Sequence, residues 1–235
     1  KHTLTGLNFK VQQGEVVGVV GPVGCGKSAL INALLQEIPL REGRISICNS
    51  IAVATEKPWL VSGSIKDNIL MGKPYNHKLY WESISCCALE KDIELLGDKD
   101  ETLVGDRGVT LSGGQKARIN LARAVYADKQ IVLLDDPLSA VDSEVGKHIF
   151  QQCIKGTLSG KTVVLATHQL GFLSEVDKVL VLLEGKQMFY GKYQELKQRE
   201  DLETYLGELL SSDLNSATKE EPQTCKGFAA ESLEI

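Results

Sequence analysis

Four short apolar runs punctuate the chain: Val16-Val17-Gly18-Val19-Val20, Ile131-Val132-Leu133-Leu134, Thr162-Val163-Val164-Leu165-Ala166 and Val179-Leu180-Val181-Leu182-Leu183. The first is entered after Gln13-Gly14 and left at Gly21-Pro22, too short and too punctuated for a helix. Each run is continuous rather than alternating, which predicts strands covered on both faces of one sheet. Between them, helical spacing predicts helices over Ser28 to Gln36, Gly114 to Tyr126 and Ser143 to Lys155. Strands alternating with helices predict an α/β fold with a mostly parallel sheet.

From about Ser64 to Asp128 that alternation breaks. Leu79, Ile84 and Ala88, then Ile93, Leu95 and Leu96, keep helical spacing with no buried-strand run, which predicts a helical insertion into the α/β core. The expected organisation is residues 1–63 as the first part of the core, 64–128 as the insertion, 129–192 as the second part of the core, and 193–235 as terminal helices and a flexible linker. Leu196, Leu202, Leu206, Leu209 and Leu210 give the last region its amphipathic pattern. Beyond Ser211, Ser, Thr, Glu, Lys and Pro dominate and apolar spacing is lost.

Composition narrows the function classes. Across 235 residues, 26 Lys and Arg against 31 Asp and Glu leave a net charge of −5, so there is no basic excess of the kind that neutralises a nucleic-acid backbone. A hydrophobic content of 43% excludes wholesale disorder, and no apolar run approaches the roughly 18 residues a membrane span requires. The start at Lys1-His2-Thr3 carries no signal-peptide layout and reads as a cut from a longer protein. Six cysteines, at 25, 48, 86, 87, 153 and 225, form no C-x-x-C pair and no metal-ligand spacing, and are expected as free thiols in a reducing compartment.

The first chemical signal is Gly21-Pro-Val-Gly-Cys-Gly-Lys27-Ser28, which satisfies G-x-x-x-x-G-K-[ST] between an expected strand and an expected helix. Gly21, Gly24 and Gly26 let backbone N–H groups curl around phosphates, and the helix that follows aims its positive end at the same anion. Lys27 would reach the β- and γ-phosphates and Ser28 would hold Mg2+. Asp135, ending the run Ile131 to Leu134, sits where a second strand presents a Mg2+-directed carboxylate, the Walker B position.

Leu111-Ser112-Gly113-Gly114-Gln115, followed by Lys116-Ala-Arg-Ile-Asn-Leu-Ala-Arg123-Ala, makes the chain resemble an ABC-transporter nucleotide-binding domain from about Leu4 to Tyr193. Ser139-Ala140-Val141-Asp142 resembles the D-loop, Thr167-His168 the switch histidine, and Gly105-Asp106-Arg107-Gly108 the exporter X-loop. The strings Val23 to Ser28, Asp135 to Asp142 and Val145 to Phe150 are similar to the multidrug-resistance-associated (sub-family C) branch, and within it to the first of two nucleotide-binding domains. The resemblance implies a P-loop NTPase core with a mostly parallel sheet and an inserted α-helical ABC subdomain, binding ATP and Mg2+. It implies catalytic roles for Asp136, His168 and Lys27. It places Gly21, Val23, Gly24, Cys25, Gly26, Lys27, Ser28 and Ala29 around the nucleotide, and Ser28, Asp135 and Glu56 around Mg2+. Ser112, Gly113, Gly114, Gln115 and Asp142 would face a nucleotide held by a second nucleotide-binding domain docked head to tail. Other implied partners are transmembrane domains acting through their intracellular helices, at the cytoplasmic face of a membrane. Nucleic acid is not among them.

Three departures bear on mechanism. The residue after Walker B is Asp136 where the family usually has Glu, so the carboxylate that polarises water is one methylene shorter. First domains of this branch often carry that change and form a slow, ATP-retaining site. Glu56 stands at the Q-loop position within Thr55-Glu56-Lys57-Pro58-Trp59-Leu60, adding a charge where the family has an amide. The family's adenine-stacking aromatic lies upstream of this chain, and Trp59 and Trp81 are expected as core or surface residues.

Cys25, inside the loop at a helix N-terminus, reads equally as a thiol of lowered pKa that ATP protects from alkylation and as a buried, inert thiol. His2, His77 and His148 read as structural or surface residues. Met71 reads equally as core or as a residue docking intracellular helices. Two functions stay open: an ATP-hydrolysing motor of an exporter, and a nucleotide-sensing module of a channel or channel regulator. A soluble ABC ATPase of repair or translation is disfavoured by the transporter-like X-loop and D-loop strings.

Overall fold

The buried run after Gly14 forms β1 (Val16–Val20), the central rail of a six-stranded sheet in this computed structural model, which describes residues 3–105, 108–199 and 202. The other strands are β2 (Ile51–Ala54), β5 (Ile131–Asp135), β6 (Thr162–Ala166), β7 (Lys178–Leu183) and β8 (Lys186–Gly191), in spatial order β2-β5-β6-β1-β7-β8. All neighbours are parallel except β7 and β8, which form an antiparallel hairpin with a register irregularity at Val181/Leu182. The sheet is thus mostly parallel, as its continuous apolar strands predict.

Alternate side chains on each strand feed two cores. Val17, Val19, Leu133, Val164, Leu180 and Leu182 pack with Leu30 and Ile31 of α1 (Lys27–Leu34) on one face. Val16, Val20, Val132, Leu134, Val163, Leu165, Val179 and Val181 join a larger cluster on the other, with helices of the 64–128 region. Covering both faces removes the polar-out positions that an exposed sheet would show.

That region contributes α2 (Ile65–Leu70), α3 (His77–Cys86), α4 (Glu90–Glu94) and α5 (Gly113–Tyr126). A short antiparallel pair, β3 (Gly63–Ser64) with β4 (Leu103–Val104), ties the ends of its first half. Ser64 starts α2 through a capping box: its hydroxyl accepts from Asp67 N at 3.0 Å while the Asp67 carboxylate accepts from Ser64 N at 2.9 Å.

One sequence expectation needs correction. The helix expected over Ser143 to Lys155 is α-helical only as α6 (Ser143–His148), then widens into a π-helical segment, Ile149–Thr157. Phe150 from that segment stacks on Phe172 with ring centroids 4.4 Å apart, inside the larger core. The described cysteines, Cys25, Cys48, Cys86, Cys87 and Cys153, are free, and tertiary packing brings Cys86, Cys87 and Cys153 together. At the far end the described chain forms α7 (Tyr193–Lys197). His2, Asp106, Arg107, Cys225 and the expected helical positions Leu206, Leu209 and Leu210 lie outside the described residues.

Candidate functional site

Register brings the predicted residues to one edge of the sheet. Val19 pairs with Ala166, Val20 with Val181, and Asp135 with Ala166, so β1, β5 and β6 end side by side. Their carboxyl ends continue as Gly21, Asp136 and Thr167-His168, the position where parallel α/β sheets place ligands.

The loop Gly21–Ser28 curls tightly between β1 and α1. Gly21, Gly24 and Gly26 adopt φ of 153°, 78° and 112°. At Gly21 the requirement is absolute, because a Cβ would lie 2.1 Å from the Leu182 carbonyl oxygen and 2.6 Å from Cys25 Sγ. Lys27 is buried, and its Nζ donates to the carbonyls of Gly21 at 2.8 Å and Pro22 at 3.2 Å, so its ammonium is curled back over the loop's concave side. Gly26 supplies the left-handed N-cap of α1 without any side-chain cap, leaving the first-turn N–H groups available to an anion. Ser28 and Ala29 lie half-buried on that first turn, and Val23 stands 83% exposed at the loop's rim.

Facing the loop is a cluster of carboxylates. Burial pushes Asp135 above the usual carboxylate range, opposed by a hydrogen bond with the Ser28 side chain and reinforced by the charges of Glu56 and Asp136. Burial also raises Asp136, against the pull of His168, whose ring and backbone N–H both lie close to it, and of Lys27. Asp136 sits at φ 46°, a conformation unusual for a residue with a side chain, and is pinned there by its N–H to the Ala166 carbonyl at 2.9 Å. Its Oδ1 is buried and has no hydrogen-bond partner among the described residues. A strained backbone that presents an unsatisfied buried oxygen is a costly arrangement for structure alone. Glu56, exposed on the segment after β2, is near enough to raise both aspartates electrostatically, so the structure does bring it to this cluster.

The donor set fits Mg2+ and a polyphosphate: a hard cation takes a hydroxyl and carboxylates, and the glycine loop with Lys27 and a free helix start takes phosphate oxygens. Of the two readings of Cys25, the structure favours the buried thiol. It is 3% exposed, and burial pushes its thiol up, outweighing the lowering by Lys27.

The remaining predicted residues form a second cluster in the chain. Ser112 caps α5 in a box with Gln115: Ser112 N donates to Gln115 Oε1 at 2.9 Å and Gln115 N donates to Ser112 Oγ at 3.2 Å. The Gln115 side chain also donates to Asp92 at 2.9 Å, beside the Arg118–Asp92 ion pair at 2.6 Å. Gly113 is exposed with open space around it, whereas a Cβ on Gly114 would meet the Ala140 carbonyl at 2.8 Å. That close approach seats the start of α5 against the 139–142 segment of the same chain. Asp142 caps α6, accepting from Glu144 N at 3.0 Å and Val145 N at 2.9 Å, and these backbone bonds hold its carboxyl low.

Sequence reasoning missed what joins the two clusters. From α5, Asn120 donates to the Thr55 carbonyl at 3.1 Å, and Arg123 donates to Asn68 O at 2.7 Å and Trp59 O at 3.0 Å while lying 4.1 Å over the Trp59 ring. Helix α5 therefore holds the segment that carries Glu56. An Arg on the buried face of an amphipathic helix is the only sequence signal for this, and it does not name its partner.

A G-x-x-x-x-G-K-S loop at the end of β1, a carboxylate at the end of β5 and a histidine following β6 are the arrangement of P-loop nucleotide-binding domains. Comparison with known proteins agrees and narrows the class: the family profile described as ABC transporter matches residues 4–139. The chain belongs to the ABC transporter family. It is 50% identical over 226 residues to ATP-binding cassette sub-family C member 4 of Mus musculus, covering 96% of this chain and 16% of that protein. It is 46% identical over 221 residues to the probable multidrug resistance-associated protein lethal(2)03659 of Drosophila melanogaster, covering 94% and 16%, and 47% identical over 200 residues to ATP-binding cassette sub-family C member 3 of Rattus norvegicus, covering 84% and 13%. The chain's likeness is thus to the nucleotide-binding regions of sub-family C, and it spans about a sixth or less of these relatives. No helix among the described residues is long and apolar enough to cross a membrane.

Proposed function

We propose that this chain is the first nucleotide-binding domain of a sub-family C exporter, retaining MgATP at its own loop while completing the active site of a second domain. The observation that carries the reading is the convergence of Gly21–Ser28, Asp135, Asp136 and His168 on one sheet edge, with Asp136 Oδ1 buried and without a hydrogen-bond partner among the described residues. Mg2+, when bound, neutralises phosphate charge and fixes the triphosphate's orientation. Ser28, Asp135 and Glu56 would hold it.

The chain's own groups then do the following. The amides at Gly24 to Ser28 and the Lys27 ammonium bind the phosphates, Lys27 exchanging its loop carbonyls for phosphate oxygens. Asp136 accepts a proton from the attacking water, its basicity raised by burial. His168, on the next strand end, orients that carboxyl and the terminal phosphate. With Asp one methylene short of Glu, and with Glu56 adding a third negative charge, the site binds more readily than it turns over. Ser112 to Gln115 and Asp142, on the exposed starts of α5 and α6, face the nucleotide of the partner domain.

In this reading residues 1–63 and 129–192 form the ATP-binding core and 64–128 the helical subdomain, with 193–235 leading into a linker. The assembly sits at the cytoplasmic face of a membrane, the 41% exposed Met71 at the end of α2 lying on the surface offered to intracellular helices of the transmembrane domains. The second reading, a nucleotide-sensing module with little hydrolysis, is favoured by the same Asp136 and Glu56. Calorimetric titration with MgATP tests the proposal at its base: wild type binds one equivalent and Lys27→Ala loses binding without unfolding. Equal binding by both would overturn it. Steady-state ATPase of the whole protein then separates motor from sensor.

A further inference from the structure

Cys86 and Cys87 close α3, and Cys153 comes from the π-helical segment, distant in sequence and on the other side of β5 in chain order. Their three sulfurs all lie within 4.8 Å of one another, and the Cys86 and Cys87 sulfurs are 3.9 Å apart. The residues are 4%, 0% and 0% exposed, in the same apolar core as Ile84, Phe150 and Leu158. Nothing in the nucleotide site uses them.

We propose that Cys86, Cys87 and Cys153 form a three-sulfur site for one thiophilic d10 cation, Cu(I), that ties the end of α3 to the π-helical segment. The donor set is all sulfur, which excludes hard cations and selects soft ones. At a metal–sulfur distance of about 2.3 Å, a trigonal arrangement puts sulfurs about 4.0 Å apart (2.3 × √3), beside the 3.9 Å already present in one pair and within reach of the 4.8 Å limit for all three. Zn2+ is a poorer match, because it takes four ligands in structural sites and the cluster offers three.

A disulfide would consume two of the thiols and leave the third unused, and it needs sulfurs about 2.05 Å apart. Cu(I) is held by thiolates, so the cluster sheds its ligating thiol protons to solvent as the ion binds. Cys86 is the least buried of the three, and the exposed His148 lies next to the end of α3, its Nε2 3.0 Å from the Ser85 carbonyl. Because α3 packs on α5, a bound ion would stiffen the support of the signature helix from behind.

The test is anaerobic titration of the intact chain, reduced with a phosphine, with Cu(I) in competition with a bicinchoninate chelator, alongside copper K-edge absorption. Wild type should bind one equivalent with a first shell of three sulfurs. Cys153→Ala and Cys86→Ala should each weaken binding by at least about 100-fold, more than loss of an outer partner of a ligand costs, and Cys48→Ser, at an exposed thiol outside the cluster, should leave it unchanged. Circular dichroism checks that the variants are folded. Wild-type affinity in Cys153→Ala, or a first shell of two sulfurs in the wild type, would overturn the site. The wild-type spectrum decides even if a variant fails to fold.

Discussion

Replacing Arg123 with Ala removes the clamp between the signature helix and the segment that bears Glu56. Arg123 is 9% exposed and donates to the carbonyl of Asn68 at 2.7 Å, the carbonyl of Trp59 at 3.0 Å and the Asn68 side chain at 3.2 Å, with its guanidinium 4.1 Å from the Trp59 ring centroid. Truncation leaves two carbonyls without their charged donor, at about 1–3 kcal/mol each, and forfeits a cation–π contact of about 1 kcal/mol. Against this, the buried guanidinium carries a desolvation cost that lowers its pKa, and its Nη1 has no partner among the described residues. The net expectation is a loss of about 3 kcal/mol, a large part of a typical domain's 5–15 kcal/mol. Arg123→Lys keeps the charge without the planar fork and should lose about half as much. Urea unfolding followed by circular dichroism measures this as a lower midpoint at constant m. A loss below about 1 kcal/mol for the Ala variant, or a Lys variant as stable as wild type, would refute the clamp.

Two other outcomes follow from the site itself. Gly21→Ala places a methyl 2.1 Å from the Leu182 carbonyl oxygen, so the loop must open; a loss of about 2–4 kcal/mol in urea unfolding together with lost MgATP binding is expected, and unchanged binding would contradict the cradle. Asp135→Asn should stabilise the ligand-free chain at neutral pH by about 1 kcal/mol while abolishing Mg2+-dependent nucleotide binding. A carboxyl whose folded-state pKa lies above its unfolded value costs stability when ionised, and that cost vanishes once pH falls below the ordinary Asp range, roughly 4. Melting curves of the two proteins should therefore differ at pH 7 and converge in acid; a variant less stable than wild type at pH 7 would show that Asp135 is a structural carboxylate.

The strands that could be read from sequence were those buried on both faces. β1, β5, β6 and β7 announce themselves as unbroken apolar runs because neighbours cover them above and below. β2 and β8 sit at the sheet's edges with alternating or partial burial, and Ala52 and Ala54 or Gln187 and Tyr190 carry no such signal. The loop, Asp135, Asp136 and His168 were legible because motif spacing encodes strand ends, and strand ends align in a parallel sheet. The π-helical widening after His148 was not, since apolar spacing distinguishes poorly between helix types. The Cys86–Cys87–Cys153 convergence and the reach of Arg123 to Trp59 are long-range meetings that only tertiary packing creates. Cys25 stayed open between two readings for a related reason: its place at a helix N-terminus was visible, whereas the burial that raises its thiol was not.

The central claim is that this chain's own site holds MgATP and turns it over slowly because Asp136 is short. Single-turnover hydrolysis in the assembled protein, with the partner domain's phosphate loop disabled, tests it most directly. Asp136→Glu should speed hydrolysis at this site at least about tenfold, a modest share of the 10²–10⁴ that a positioned base supplies. Equal rates for wild type and variant would contradict the account.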